Sequence, residues 1–463
     1  MAYPRSATLP ARASGLYQEQ IVFSLMVFLC TASMILGFVL DSPSQLWRGT
    51  GIILTSPSHL LTDYMAIASV GATLFNAGFT TLASVFYVRF LRKVPMSGAV
   101  IAGLLTIFGF SLFGKNLINT IPIWLGVLLA AKLDGKKPSE YTVISLFATA
   151  LAPAVSLVMF GKGLPWFAAI PAGLGVGLLV GLMVVPLSFH VVRFHHGLAL
   201  YNIGFTAGIV GMMLVALLNL FGLEVPEIEL LYSGPTGVLT AAMLIFSGLM
   251  LAAGLLFSDK GWGGLIRLFR RSGRIPSDFV AGAGLGPTLV NMGIMGALSI
   301  GFVALMGGTL NGPVLGGVFT VVGFAAFGKH PFNCVPIVVG VVLAALVTGA
   351  DLSSSGVLLA ALFGTTLAPM AGVFGPVYGV IAGFVHMALV ANIGFLHGGL
   401  NLYNNGFSGG LVALVLIPLF NSFLNMRGKG HRAIDIEWKP IRGVAPPPTA
   451  VTPTAPPPIS GSP

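Results

Sequence analysis

One lysine-centred motif occurs twice in this chain. Residues 109–123 read GFSLFGKNLINTIPI and residues 323–337 read GFAAFGKHPFNCVPI, offset by 214 positions. Both fit G-F-x-x-F-G-K-x-x-x-N-x-x-P-I. In a chain with only 8% charged residues, chance does not place a Lys, an Asn and a Pro at one spacing twice. The motif marks an internal duplication, so the fold has to accommodate two copies of one unit.

Three further blocks recur in the same order. Asp63-Tyr64 with Gly71, Thr73, Leu74, Asn76 and Gly78 matches Asp278-Phe279 with Gly286, Thr288, Leu289, Asn291 and Gly293, offset by 215. Phe147-Ala-Thr-Ala-Leu-Ala-Pro153 matches Phe363-Gly-Thr-Thr-Leu-Ala-Pro369. His195-x-Gly197 followed by Leu200-Tyr-Asn-Ile-Gly-Phe-Thr206 matches His397-x-Gly399 followed by Leu402-Tyr-Asn-Asn-Gly-Phe-Ser408.

Composition identifies the solvent. Of 463 residues, 56% are hydrophobic, and the mean hydropathy is +0.95. A soluble domain is nearer a quarter charged, so the chain reads as an all-α polytopic membrane protein. The net charge of +10 raises nucleic-acid binding as a class. However, Lys and Arg cluster between apolar runs, as in cytoplasmic loops, and no nucleic-acid partner is expected. Cys30 and Cys334 fall in apolar segments and suggest neither a disulfide framework nor a metal site.

In each half the pattern gives five spans and one interrupted segment. The first half spans at 21–40, 63–91, 141–160, 167–192 and 200–221, with 42–62 read as a loop. Residues 21–40 are too long for a signal-peptide core and are read as a retained span. Residues 97–131 are about twice what one crossing needs at ~1.5 Å per residue, and Gly109, Gly114, Lys115 and Pro122 interrupt them. A broken, re-entrant hairpin fits. The second half spans at 237–257, 278–306, 357–370, 377–395 and 407–423, with its hairpin at 313–346.

Charge and parity then agree. Five crossings from a cytoplasmic start put Glu224, Glu227 and Glu229 outside. A sixth puts Lys260, Arg267, Arg270, Arg271 and Arg274 inside, and four more, ten in all, return the tail to the inside. The halves read as inverted repeats, an arrangement found in transporters, with the solute site near the midplane. The domain plan is a cytoplasmic lead at 1–19, a first membrane repeat at 20–222, an external acidic loop at 223–234, a second repeat at 235–424 and a basic, Pro-rich cytoplasmic tail at 425–463. The tail's composition cannot bury a core. The expected location is the inner (plasma) membrane.

Lys115 and Lys329 are the leading candidates for solute binding. An unpaired ammonium costs at least ~2.5 kcal/mol at the bilayer centre, so its recurrence points to a protein-lined or watery position. The competing reading is a hairpin-tip Lys reaching lipid headgroups. Asn119 and Asn333 share the broken element, and Phe110, Phe113, Phe324 and Phe327 flank it as possible constrictions. Asn76, Asn202, Asn291 and Asn404 each precede x-Gly-[Phe/Ile]. Together with Tyr201 and Tyr403 they are either interhelical donors or part of a solute path. Asp63 and Asp278 follow Thr62 and Ser277 and fit helix N-caps, with proton coupling as the alternative. His195 and His397 are either proton relays or interfacial residues. Metal-ligand spacing, a phosphate loop and a nucleophile elbow are all absent from the sequence, so no metal or cofactor is expected.

The repeated FGK and LYNxGF blocks, from Asp63 to Phe423, resemble an uncharacterised family of bacterial multi-pass membrane proteins defined only as a domain of unknown function. That resemblance implies no activity. The plan of two inverted halves, each with five spans and a re-entrant element, is similar to the urea transporters. This implies conduction of a small neutral solute through a central pore in each subunit of a homo-oligomer. The paired Lys departs from a neutral-solute site and leaves room for an anion. The expected function is a permease, channel or carrier, for a small polar or anionic solute, with solute, lipid and further copies of the chain as the partners considered. Two alternatives stand beside it. An intramembrane enzyme acting on a lipid would show a catalytic cluster in one half only. A scaffold or sensor would depend on the Pro-rich tail.

Overall fold

The computed structural model describes residues 11–58, 61–225, 228–257 and 261–428. Residues 1–10 of the lead, Glu227, Lys260 and the tail from 429 lie outside the described residues. Eleven of the described helices are long and apolar enough to cross a membrane. Ten are the expected spans. The eleventh, Pro331–Thr348, is the outgoing arm of the second hairpin.

Each hairpin breaks at its lysine. Helix Gly98–Phe110 starts on the Ser97 N-cap and ends before Ser111, and helix Leu117–Leu133 restarts on a capping box between Asn116 and Asn119. Gly114, at φ 84°, makes the turn, a conformation that costs a residue without Cβ little. In the second copy, Gly312–Phe324 gives way to Pro331–Thr348. Pro122 and Pro336 do not break their helices. Each is the sixth residue of its helix and removes one backbone bond, to Ile118 O or Phe332 O, while the helix continues past it.

The arms fold back on themselves. The second span of the first half runs Val70–Phe86 and continues through Tyr87–Arg92. The first tip lies beside the start of this span, since Tyr64 N donates to Leu112 O (3.1 Å) and Asn76 Nδ2 donates to Lys115 O (2.9 Å). Further along, Tyr87 stacks on Trp124 of the returning arm at 4.5 Å. Both arms therefore begin and end near Arg92 and Lys132.

Three readings of the sequence need correction. Residues 42–62 are not all loop, because Pro43–Thr55 is a helix with Ser42 and Gln45 forming its capping box. The basic loop after 257 contains the short helix Gly261–Phe269. Finally, the spans opening at Asp63 and Asp278 are each divided. Tyr64–Ile67 and Phe279–Ala283 are separate short helices, set off by Ser69 in one half and by Gly284 at φ 100° in the other.

The two hairpins cross antiparallel through the middle of the bundle, and their contacts come in exchange-related pairs. A methyl on Gly109 would lie 2.9 Å from Gly316 Cα, and one on Gly323 would lie 3.1 Å from Ala102 Cα. Residues 109 and 323 are equivalent, as are 102 and 316. Gly208 abuts the Phe407 ring and Gly410 the Phe205 ring in the same reciprocal way. Each close approach depends on a missing side chain, as in tightly packed membrane helices.

Loops gather at two ends. At one end, Leu61–Thr62 pairs with Glu229–Leu230, and Lys162 Nζ donates to Glu224 O. At the other, Arg274 Nε donates to His196 O (2.8 Å), and His330 Nε2 bonds Arg271 O (2.8 Å). Asp63 and Asp278 cross-tie the halves. Asp63 Oδ2 accepts from Gly312 N (2.8 Å), the start of the second hairpin. Asp278 Oδ2 accepts from Gly98 N (3.1 Å), the start of the first.

Overpacking the glycine crossing tests this arrangement. Gly109→Val is expected to lower stability by about 1–3 kcal/mol, seen as a reduced thermal midpoint in detergent. Gly175→Ala, with open space around it, should leave the midpoint unchanged or raise it.

Candidate functional site

The hairpin tips carry the two lysines toward opposite ends of the bundle. The first tip adjoins Tyr64 and Ile53, with Asn116 Nδ2 donating to Ile53 O (3.0 Å). The second adjoins the 271–273 turn, with Asn333 Nδ2 reaching Ser272 O (3.3 Å). Neither ammonium reaches the surface, because Lys115 and Lys329 are both 0% exposed. The headgroup reading of the sequence therefore does not describe these side chains.

Each lysine meets a hydroxyl supplied by a second break. The spans containing the two Phe-x-Thr-x-Leu-Ala-Pro blocks tighten into 3-10 turns at Thr149–Leu151 and Thr365–Leu367. Pro153 and Pro369 lack the N–H that would continue the preceding helix, which accounts for the loosening at that point. Thr149 Oγ1 donates to Leu146 O (2.6 Å) and accepts from Lys115 Nζ (2.7 Å). Thr365 Oγ1 donates to Leu362 O (2.5 Å) and accepts from Lys329 Nζ (2.6 Å). Aromatic faces complete each shell. Lys115 Nζ lies 5.2 Å from the Phe110 ring centroid, and Lys329 Nζ lies 4.5 Å from Tyr201 and 5.3 Å from Phe324. Such contacts contribute ~0.5–2 kcal/mol when desolvated.

Between the lysines lies an aromatic cluster drawn equally from both halves. Phe110 packs on Tyr403 (4.7 Å), Tyr403 on Tyr201 (4.9 Å), and Tyr201 on Phe324 (4.6 Å). Phe147 and Phe363 flank it. A continuous line therefore runs from Lys115 through Phe110, Tyr403 and Tyr201 to Lys329. Phe113 packs edge-on to Phe110 and Phe327 to Phe324, so the structure brings these two to the rim and not the centre.

The two lysines differ in one hydrogen bond. Tyr201 OH accepts from Lys329 Nζ (2.5 Å). Its equivalent, Tyr403 OH, instead bonds Thr106 Oγ1 (3.0 Å) on the first hairpin. The equivalent of Thr106, Thr320, bonds Gly316 O within its own helix (2.7 Å).

The asparagines are occupied by the fold. Asn76 Nδ2 donates to Ser111 O and Lys115 O, and Asn291 Nδ2 to Ala325 O and Lys329 O, all within 2.9 Å. Asn119 Nδ2 donates to Gly114 O and Ser156 Oγ, while Asn333 Nδ2 donates to Gly328 O. These amides satisfy carbonyls that the helix ends leave open. The structure thus places Asn76, Asn119, Asn291 and Asn333 behind the lysines as supports. Asn202 and Asn404 bond His195 Nε2 (3.0 Å) and His397 Nε2 (2.8 Å), closing the turn before each Tyr-Asn helix. Asp63 also accepts from Met65 N and Tyr232 N, and Asp278 from Ala281 N, so both cap their short helices as well as tying the halves.

Sequence reasoning missed three features. The repeated Thr149 and Thr365 were visible but were not weighed as lysine partners. Thr106 had no motif. In the second half alone, buried His386 bonds Asn405 Oδ1 through Nε2 (3.1 Å) and Ser408 Oγ through Nδ1 (3.1 Å). The first half has Val184, Ile203 and Thr206 at the corresponding positions.

A family model described as protein of unknown function (DUF1576) matches residues 42–220 and 258–422. The chain belongs to that family. The two matched stretches start 216 positions apart, close to the offset of the repeated blocks. No curated protein and no solved structure matches the chain.

A double-mutant cycle reads the asymmetry. Lys329→Met with Tyr201→Phe should couple by about 0.5–3 kcal/mol in detergent unfolding. Lys115→Met with Tyr403→Phe should couple by less than about 0.5 kcal/mol.

Proposed function

We propose that this protein is a membrane permease for a small polar or anionic solute, built as two inverted repeats with re-entrant hairpins. The observation that carries this reading is the pair of buried lysines, one at each hairpin tip, joined by a shared aromatic cluster. Buried ionisable groups inside membrane bundles mark solute or ion paths. The reciprocal contacts support the inverted relation, because a two-fold axis normal to antiparallel crossing helices lies in the membrane plane. Midplane sites between such repeats are the rule for secondary transporters.

Charge supports an orientation. Arg89, Arg92, Lys93, Lys132, Lys136, Lys137, Arg267, Arg270, Arg271 and Arg274 belong to one end, and Arg48 and Lys162 to the other. The positive-inside rule makes the first end cytoplasmic, with the described chain beginning and ending there. Exposed Trp47, Trp166 and Trp262 suit the membrane interfaces. In this conformation the aromatic cluster is shut. Tyr201, Tyr403, Phe110 and Phe324 are all buried, so passage requires them to move, as in a carrier or a gated channel. The reading takes the plan of the urea transporters, two inverted halves each with a re-entrant element, as its analogy. Asp63, Asp278, His195 and His397 remain the groups for any proton coupling.

Flux into proteoliposomes is the test. The panel comprises urea, formamide, formate, nitrate and chloride, with and without a pH gradient. The wild type should move at least one solute, and Lys115→Met with Lys329→Met should reduce that flux tenfold or more. Folded wild-type protein that moves none of them would overturn the reading.

The Ser408–His386–Asn405 cluster favours a second reading, because an intramembrane hydrolase would need such a group in one half only. Fluorophosphonate labelling separates the two. A permease should leave Ser408 unlabelled. Labelling that is lost in His386→Ala would establish the enzyme instead.

A further inference from the structure

We propose that Lys115 is the seat of a small monovalent anion, which competes with the Tyr403 hydroxyl for the ammonium. This rests on the permease reading and specifies its substrate class.

The two lysines differ in how many of their donors are used. A lysine ammonium has three N–H groups. Lys329 uses two, on Thr365 and Tyr201. Lys115 uses one, on Thr149. Two N–H groups of Lys115 and one of Lys329 are left in a fully buried setting, where an unmet charged donor is costly. Ser111 Oγ, at the same tip as Lys115, is also buried without a partner. The unfilled groups at this tip are donors or hydroxyls, which suits a ligand made only of acceptors. Urea and other amides bring N–H donors that would find no matching acceptors on the ammonium.

Charge gives the same sign. The ammonium partners are hydroxyls and aromatic faces, with no carboxylate among them. The nearby carboxylates, Asp63 and Asp278, are occupied by backbone N–H groups. The two lysines thus share the core without a protein counter-ion, and a bound anion would offset part of the desolvation cost of a protonated one. Three spare N–H groups and closely packed rings suit a halide, nitrate or formate, and not a larger dianion with its many acceptors.

The asymmetry picks the end. At Lys329 the Tyr201 hydroxyl takes a second N–H. At Lys115 the equivalent hydroxyl is held away on Thr106, so more donors are left at Lys115. Exchange of the two arrangements would close Tyr403 onto Lys115 and free Tyr201 from Lys329, passing the anion from one lysine toward the other.

Binding, and not flux, tests this. The purified full chain is titrated with potassium nitrate, formate or chloride against potassium gluconate at constant ionic strength, with urea as the neutral arm, following the thermal midpoint. A saturable rise is expected with at least one small anion. Lys115→Met should weaken it tenfold or more, Lys329→Met by less, and Lys115→Arg should retain it. A monodisperse elution profile establishes that each variant is folded. The proposal is overturned if no small anion gives a saturable rise, if urea does so instead, or if Lys115→Met leaves the anion response intact. Neutral-solute flux without anion binding would overturn this assignment and keep the permease, whereas silence in both assays would remove both.

Discussion

The fold depends on satisfying backbone groups at two helix breaks deep inside an apolar bundle. Where helix Gly98–Phe110 stops, its last carbonyls lose their partners, and lipid cannot replace them. Asn76 supplies two N–H groups to the tip, Asn119 supplies two more to Gly114 and Ser156, and Asn291 and Asn333 do the corresponding work in the second copy. A lysine can sit at such a break because the break is already polar. The asparagines therefore explain why the lysines are where they are, although they do not touch the ammonium groups.

Much of this was legible in the sequence, and the failures have identifiable causes. Span count, hairpin position and the paired lysines follow from hydropathy and repetition, which report on long stretches and exact spacing. The helix Pro43–Thr55 was missed because Ser-Pro-Ser was read as loop chemistry, yet Ser42, Pro43 and Gln45 also spell a capping box with Pro at the first position. Pro122 was read as an interruption, but the helix Leu117–Leu133 runs through it with the loss of one backbone bond. For the asparagines the sequence leaves interhelical bonding and a solute path both open, because it shows a costly polar group without its partner; for Asn76 the partners are carbonyls 35 and 39 residues away.

The site's asymmetry lay beyond sequence reasoning altogether. Tyr201 and Tyr403 occupy identical motifs, and Thr106 and Thr320 occupy equivalent positions, yet one tyrosine bonds lysine and the other threonine. Two equal sequences in one chain can settle into unequal arrangements when each competes for shared space at the centre. Only coordinates record which arrangement each half adopts.

The reciprocal ties of Asp63 to Gly312 and Asp278 to Gly98 bear on how the protein is made. Each carboxylate fastens the mouth of the other half's hairpin, so neither half holds all the groups that complete its own. While the ribosome is still extending the first half, Gly98 N has no Asp278 to meet and the glycine face of helix Gly98–Phe110 has no partner. The first hairpin's final contacts therefore depend on residues of the second half, and neither half can complete its own alone.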